Sequence, residues 1–177
     1  SRRQRQMCIR DRVDFGFSSP LVSEDLETIL MLKDKLLLAV SEKHDYSGLS
    51  RVPARLLDNQ PFFLLEKGRP SSVSHYLNKM EVKPDVQLKT FQDYTILNMV
   101  KMNLGLGIVP QLVLEFPVEG VVMKELEPPA FREILLVLRK GRSLSFVAKK
   151  FLTCLAQELE KELDANFVTT IKKISEE

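Results

Sequence analysis

Short apolar runs, too brief for helices, alternate along this chain with amphipathic helical patterns, and that alternation constrains its fold more than any other feature. Lys35 to Ser41 (KLLLAVS) and Phe62 to Leu65 (FFLL) show no polar alternation, as expected of strands buried on both faces. A sheet buried on both faces needs helices on each side, which places the chain in the α/β class with a mainly parallel sheet.

The remaining elements follow from local chemistry. Val13 to Phe17 reads as a strand stopped by Ser18-Ser19-Pro20, and Leu26 to Leu32 is mixed in character. Pro53 opens a short helical turn through Leu57. Ser71 or Ser72 caps a helix whose Val73, Tyr76, Leu77 and Met80 recur at helical spacing. A short strand near Val86 to Leu88 leads into a second helix. There Ile96, Leu97 and Val100 point inward, Thr90 or Asp93 is the expected cap, and Asn103 can take the left-handed conformation that ends helices.

Gly105 to Pro110 then enters another strand, and Val118 to Lys124 and Arg132 to Arg139 supply two more. The last helix is capped by Ser143 or Ser145, with Phe151, Leu152, Leu155, Leu159 and Leu163 along one stripe.

Of the 177 residues 44% are hydrophobic, enough for one real core. The net charge of +2 is concentrated at the start, where Ser1 to Arg12 (SRRQRQMCIRDR) holds five arginines and one aspartate. Without that segment 21 basic residues face 23 acidic ones, a balance of −2. A basic arm can mark a nucleic-acid or membrane contact. This one reads as the in-frame translation of a sequencing adapter fused ahead of Val13, so residues 1–12 are set aside as non-native. Cys154 is then the single cysteine, which fits a reducing cytoplasm, and no run is long and apolar enough for a membrane span.

Catalytic signals are sparse. His44 and His75 stand in ordinary surface company, and no HExxH, GxSxG, Walker loop or CxxC occurs, so neither catalytic residue, metal nor cofactor is expected. Gly105-Leu106-Gly107 follows a helix and opens a strand, the reverse of a dinucleotide fingerprint, with Pro110 at the third glycine position. Asp14, Asp93 and Glu115 have no evident partner, and Tyr94, Phe62 and Phe63 read as core rather than a stacking platform.

Five segments in order resemble the effector-binding domain of LysR-type transcription regulators. The first is Asp14-Phe15-Gly16-Phe17 with its polar turn, followed by Leu36 to His44, where Asp45 stands in place of a usual proline. Next come Val52-Pro53, Leu56-Leu57 and Pro61-Phe62-Phe63. The fourth is Val100 to Pro110, with Asn103 at the usual first glycine, a residue able to keep that backbone angle. The last is Ile134 to Arg139 with Ser143-Leu144-Ser145. The resemblance spans Val13 to Glu160.

This resemblance implies a type 2 periplasmic-binding-protein-like fold of two α/β lobes, one complete and one partial, in a regulator that is not an enzyme. Residues 46–131 would form the complete second lobe, and 13–45 with 132–163 part of the first, leaving 164–177 as a tail without a functional account. Crossovers are expected near Ala39 to His44 and Leu136 to Lys140. It further implies a small-molecule effector held between lobes by Ser18, Ser19, Leu65, Glu66, Lys67, Thr90, Phe91, Gln92, Asp93 and Gly105.

A homo-oligomeric full-length protein is implied, with DNA contacted only through an N-terminal helix-turn-helix domain not in this chain and no membrane partner. With the first strand and helix of the sensing domain missing, apolar surface is expected to be exposed along Lys35 to Ser41. Two alternatives share the fold: an extracytoplasmic solute-binding protein, and an enzyme such as a prephenate dehydratase, whose threonine-rich motif is not found here.

Overall fold

A computed structural model describes residues 13–19, 25–66, 68, 70–114, 117–141, 143–159 and 163–176. The segment 1–12, Pro20, Lys67, Glu115 and Glu160, on which the reading above drew, lie outside them. The chain divides into two compact units, one of residues 34–132 and one formed by the residues before and after it. Two long strands, β2 (Leu26–Ser41) and β7 (Val121–Arg139), each contribute to both units, so the chain passes between them inside strands, at 33/34 and 132/133.

Within the 34–132 unit, β4 (Pro61–Leu65), helix α1 (Ser72–Lys79), β5 (Asp85–Thr90), helix α2 (Asp93–Lys101) and β6 (Leu106–Pro110) form two successive β-α-β steps. Strand β4 lies between β5 and β6, parallel to both, with Leu65 opposite Thr90 and Phe62 opposite Leu106. The continuous apolar runs are explained by cover on both faces. Phe62 and Leu64 share a core with Val73, Tyr76 and Leu77 of α1, while Phe63 packs with Ile96, Leu97 and Val100 of α2. The sheet is more mixed than expected, because β2 and β7 carry the chain into and out of the unit. Strand β2 pairs antiparallel with β6, and the short β3 (Arg51–Pro53) pairs parallel with β7.

Helix ends follow their capping chemistry in part. Ser71 Oγ accepts from Ser74 N at 3.2 Å, as expected for α1. Helix α2 departs from expectation: Gln92 holds the cap position without a side-chain hydrogen bond, and Asp93 is already the first helical residue. Asn103 closes α2 with φ 56°, the left-handed angle expected of it.

The other unit pairs β1 (Phe15–Ser18) antiparallel with the far end of β7, Phe15 opposite Leu138. Helices α3 (Phe146–Glu158) and α4 (Ala165–Glu176) complete it, and Ser145 caps α3 by accepting from Ala148 N at 3.2 Å.

Four expectations, on β7, β2, Tyr94 and Phe151, need correction. The two strands expected at 118–124 and 132–139 are the single strand β7, which runs on through Pro128 and Pro129, both exposed and just past the β3 pairing that ends at Glu127. The tail, left without an account by the sequence, forms α4, which buries Phe167 and Ile171 against Met31, Leu136 and Leu152, and Asp164 N donates to Met31 O at 2.8 Å. The apolar surface expected on β2 is covered, since Leu36, Leu38, Ala39 and Val40 are buried. Tyr94 is exposed rather than core, and Phe151, expected in the α3 stripe, is half exposed while Ala156 takes the inward place.

Candidate functional site

In the 34–132 unit the parallel strands β4 and β5 end side by side, and Glu66 N donates to Thr90 O at 2.8 Å just past them. Helices α1 and α2 both begin at this end, so two helix N-termini and two strand ends supply its polar groups. Positions of this kind, outside the carboxyl ends of parallel strands, are where open α/β sheets bind ligands.

The first helix start is already occupied by the protein's own carboxylate. Glu66 accepts from Ser74 Oγ in a short contact and from Lys89 Nζ at 3.1 Å, with its side chain 14% exposed. The Ser74 hydrogen bond, supported by Lys89, holds the Glu66 carboxyl below its ordinary value even though burial pushes the other way. Its polar demands are met within the fold.

The second helix start is more open. Thr90 Oγ1 accepts from Gln92 N at 3.2 Å, a local turn two residues ahead of the helix rather than a cap. Thr95 Oγ1 donates to Gln92 Oε1 at 3.0 Å, and Phe91 stands 60% exposed. Asp93 is half-buried, and burial raises its carboxyl while the neighbouring Arg132 lowers it. Its Oδ1 is closed off from solvent and has no hydrogen-bond partner among the described residues.

The residues named from sequence therefore separate into groups. Leu65, Glu66, Thr90, Phe91, Gln92 and Asp93 are brought together at one end of the sheet of the 34–132 unit. Gly105 is not with them. It is buried beside Pro61, at the opposite end of the same strands, roughly 13 Å away at about 3.3 Å per residue. A Cβ there would meet Pro61 O at 2.6 Å, so its role is to let two backbones approach. Ser18, half-buried, ends β1 opposite Leu135, and Ser19 is exposed beyond it. Both belong to the other unit. Lys67 falls outside the described residues.

One pair escaped the sequence reading. Arg132 Nε donates to Asp34 Oδ2 at 2.7 Å, and Leu112 N donates to Asp34 Oδ1 at 3.1 Å, with the Asp34 side chain 1% exposed. The signal was present: Leu32, Asp34, Leu36 and Leu38 alternate on one face of β2, so a carboxylate stands in a row of core positions. Asp14, read as unpartnered, accepts from Ser145 Oγ at 2.7 Å.

The histidines are engaged locally: His44 Nδ1 accepts from Tyr46 N at 3.1 Å, and His75 Nδ1 donates to Ser71 O at 2.7 Å. Among the described residues no group of three His, Cys, Asp or Glu side chains could hold a metal ion, and no helix is long and apolar enough to cross a membrane. The arrangement at the strand ends is one of hydrogen-bond donors and acceptors around a helix start, suited to holding a small polar molecule.

Comparison with known proteins identifies the family and the fold. The family model described as LysR substrate binding domain matches residues 1–160. The HTH-type transcriptional regulator YvbU of Bacillus subtilis is 25% identical over 80% of this chain and 47% of its own length. The hydrogen peroxide-inducible genes activator of Haemophilus influenzae is 27% identical over 76% of this chain and 46% of its own. The chain thus spans about half the length of the curated relatives it matches.

Among solved structures, the regulatory domain of Synechocystis CcmR in complex with 2-PG superposes with a TM-score of 0.76 at 19% identity. That match covers 89% of this chain and 78% of the other. Oxidized OxyR superposes at 0.70 with 22% identity, covering 92% and 79%. The fold is accordingly the type 2 periplasmic-binding-protein-like α/β fold.

Proposed function

The chain belongs to the LysR substrate-binding domain family, and from that premise we propose that it senses a small-molecule effector for a bacterial transcription regulator. The observation that carries the reading is the juxtaposition of Leu65, Glu66 and Thr90 to Asp93 at the carboxyl ends of β4 and β5, beside an α2 start with no side-chain cap. Thr90 and Gln92 offer hydroxyl and amide groups there, and Ser18 and Ser19 are assigned to the same ligand on the family resemblance. The domain makes no bonds. It acts by binding one conformation better than another and so shifting their populations.

DNA is contacted by a separate helix-turn-helix domain of the full-length protein, which works in the cytoplasm as a homo-oligomer. Two relatives that are themselves transcriptional regulators support this reading over the solute-binding one. The outer edge of β5 supports oligomer formation. It ends the strand order among the described residues and leaves Val86 and Leu88 37% and 36% exposed, an open edge for another chain. Leu88→Lys should shift the full-length regulator toward monomer in light scattering. An unchanged mass would remove the β5 edge from the assembly.

The test of sensing is a melting-temperature screen of the domain against amino acids, aromatic acids, small carboxylates, amines and sugars, since a ligand of the native state stabilises it. At least one class should raise the melting temperature, and Thr90→Ala and Ser18→Ala should weaken that ligand about tenfold, about 1.4 kcal/mol each. No response from any class would sink the sensing role, while unchanged affinity in both variants would sink the site. The reading of residues 1–12 as foreign is tested by the genomic DNA ahead of Val13: a different sequence there supports it, and the same twelve codons overturn it.

A further inference from the structure

The negative charge at the start of α1 is supplied from outside the helix. No acidic residue lies in its first turn. The charge comes instead from Glu66, just past the end of β4. Ser71 Oγ accepts from Ser74 N at 3.2 Å and caps the helix, while the Ser74 hydroxyl reaches back and donates to Glu66 Oε2. Lys89, on the neighbouring strand β5, donates to Glu66 Oε1 at 3.1 Å. The Ser71 backbone N–H also favours the charged carboxylate.

A hydroxyl, a backbone amide and an ammonium group thus converge on one carboxylate. These are the donors with which a helix start captures a free anion. The Glu66 side chain is 14% exposed against 61% for Lys89, so the carboxylate is drawn into the fold while its cation stays largely in solvent. A ligand carboxylate could take these donors only by displacing Glu66. That exchange would strip Glu66 of its partners and set a second negative charge beside it, and both changes disfavour binding.

We propose that Glu66 is a specificity-determining residue of the strand-end site, a built-in carboxylate that closes the α1 start to acidic ligands. The proposal deepens the sensing reading, on which its bearing on effector choice rests. It leaves the α2 start, with Thr90 and Gln92, as the part of the site open to a ligand.

The test replaces the internal carboxylate by a free one. The amide signals of Ser71 and Ser74 are followed by NMR while the full chain is titrated with sodium acetate, with sodium chloride at the same ionic strength as the reference. In Glu66→Ala the two signals should move saturably with acetate, with a Kd at least about tenfold below that of the unaltered chain, and acetate should raise the melting temperature. Glu66→Ser serves the same purpose should the alanine variant fail to fold. Adding Lys89→Met to either variant should abolish the response. Absence of saturable acetate binding in both small variants would overturn the proposal. So would acetate binding by the unaltered chain as tight as by Glu66→Ala, or a response that survives Lys89→Met. No effector enters this titration, so its failure leaves the sensing reading standing, whereas a screen in which no ligand class stabilises the domain removes sensing and leaves the acetate result untouched.

Discussion

The two units of the chain treat similar apolar sequence differently. In residues 34–132 both faces of the central strand β4 are covered, Phe62 and Leu64 by α1 and Phe63 by α2, so its two phenylalanine rings are buried. The exposed rings of Phe91, Tyr94 and Phe131 lie away from it. In the other unit Phe146 and Val147 at the start of α3 are 82% and 75% exposed, and Phe17 on β1 is 46% exposed. Phe15 stacks on Phe151 at 5.7 Å, an aromatic contact left at the rim rather than sealed inside. An apolar pattern marks a residue as suited to burial. Burial itself requires a second element on that face, and the first unit has one where the second does not.

The largest expected effect probes the ionic centre of the covered unit. Arg132→Met leaves the buried Asp34 carboxylate, among the described residues, with the Leu112 amide alone, and should cost about 3–5 kcal/mol in urea unfolding. The exposed contacts of Glu125 with Lys35 and Arg51 provide the contrast: Glu125→Gln should leave the midpoint unchanged. Equal losses in the two variants would show that burial does not set the worth of these pairs.

Next in size is the docking of α4. Phe167, fully buried, should cost about 3–5 kcal/mol when changed to alanine, whereas Phe146→Ser should stay within about 0.5 kcal/mol and reduce self-association. A large loss from Phe146→Ser would mean that its face is covered in solution.

Smaller effects are expected at the glycines. Gly105→Ala drives a methyl against the Pro61 backbone and should cost about 1–3 kcal/mol, while Gly16→Ala in β1 meets nothing within 4 Å and should not be felt sterically.

The smallest concerns acid. Because the folded Glu66 carboxyl is held below its ordinary 4.5, chiefly by Ser74, its contribution is present above that value and fades as pH falls through the lowered one. Asp93 has the opposite sign: its carboxyl is raised by burial, so its charged form costs stability at neutral pH and the cost is relieved on acidification. Unfolding midpoints between neutrality and pH 3 should flatten on the acid side in Glu66→Gln. In Asp93→Asn they should lose the acid-side gain.

Much of the 34–132 unit was legible in the residues alone. The Ser71 cap, the left-handed Asn103 and the buried runs of β2 and β4 depend on side chains within a few positions, and all are found as read. The strand-end site was partly legible, since Glu66 and Thr90 flank strands whose pairing follows from the β-α-β order. Gly105 was misplaced because a glycine needed for close backbone approach and one at a ligand rim look alike in sequence. Residues 125–131, left between two expected strands, belong to the one continuous strand β7, which no local pattern marks because it depends on pairing with distant segments.

By itself the sequence determined the class of the fold, the helix and strand propensities, the family resemblance and the scarcity of catalytic groups, all of which rest on local pattern. Only the tertiary structure decided that Asp34 meets Arg132 across 98 residues and that the tail packs as α4 through Phe167 and Ile171. The physical reason is that charge pairing and burial depend on which distant segment covers a given face, and periodicity says only that some segment must.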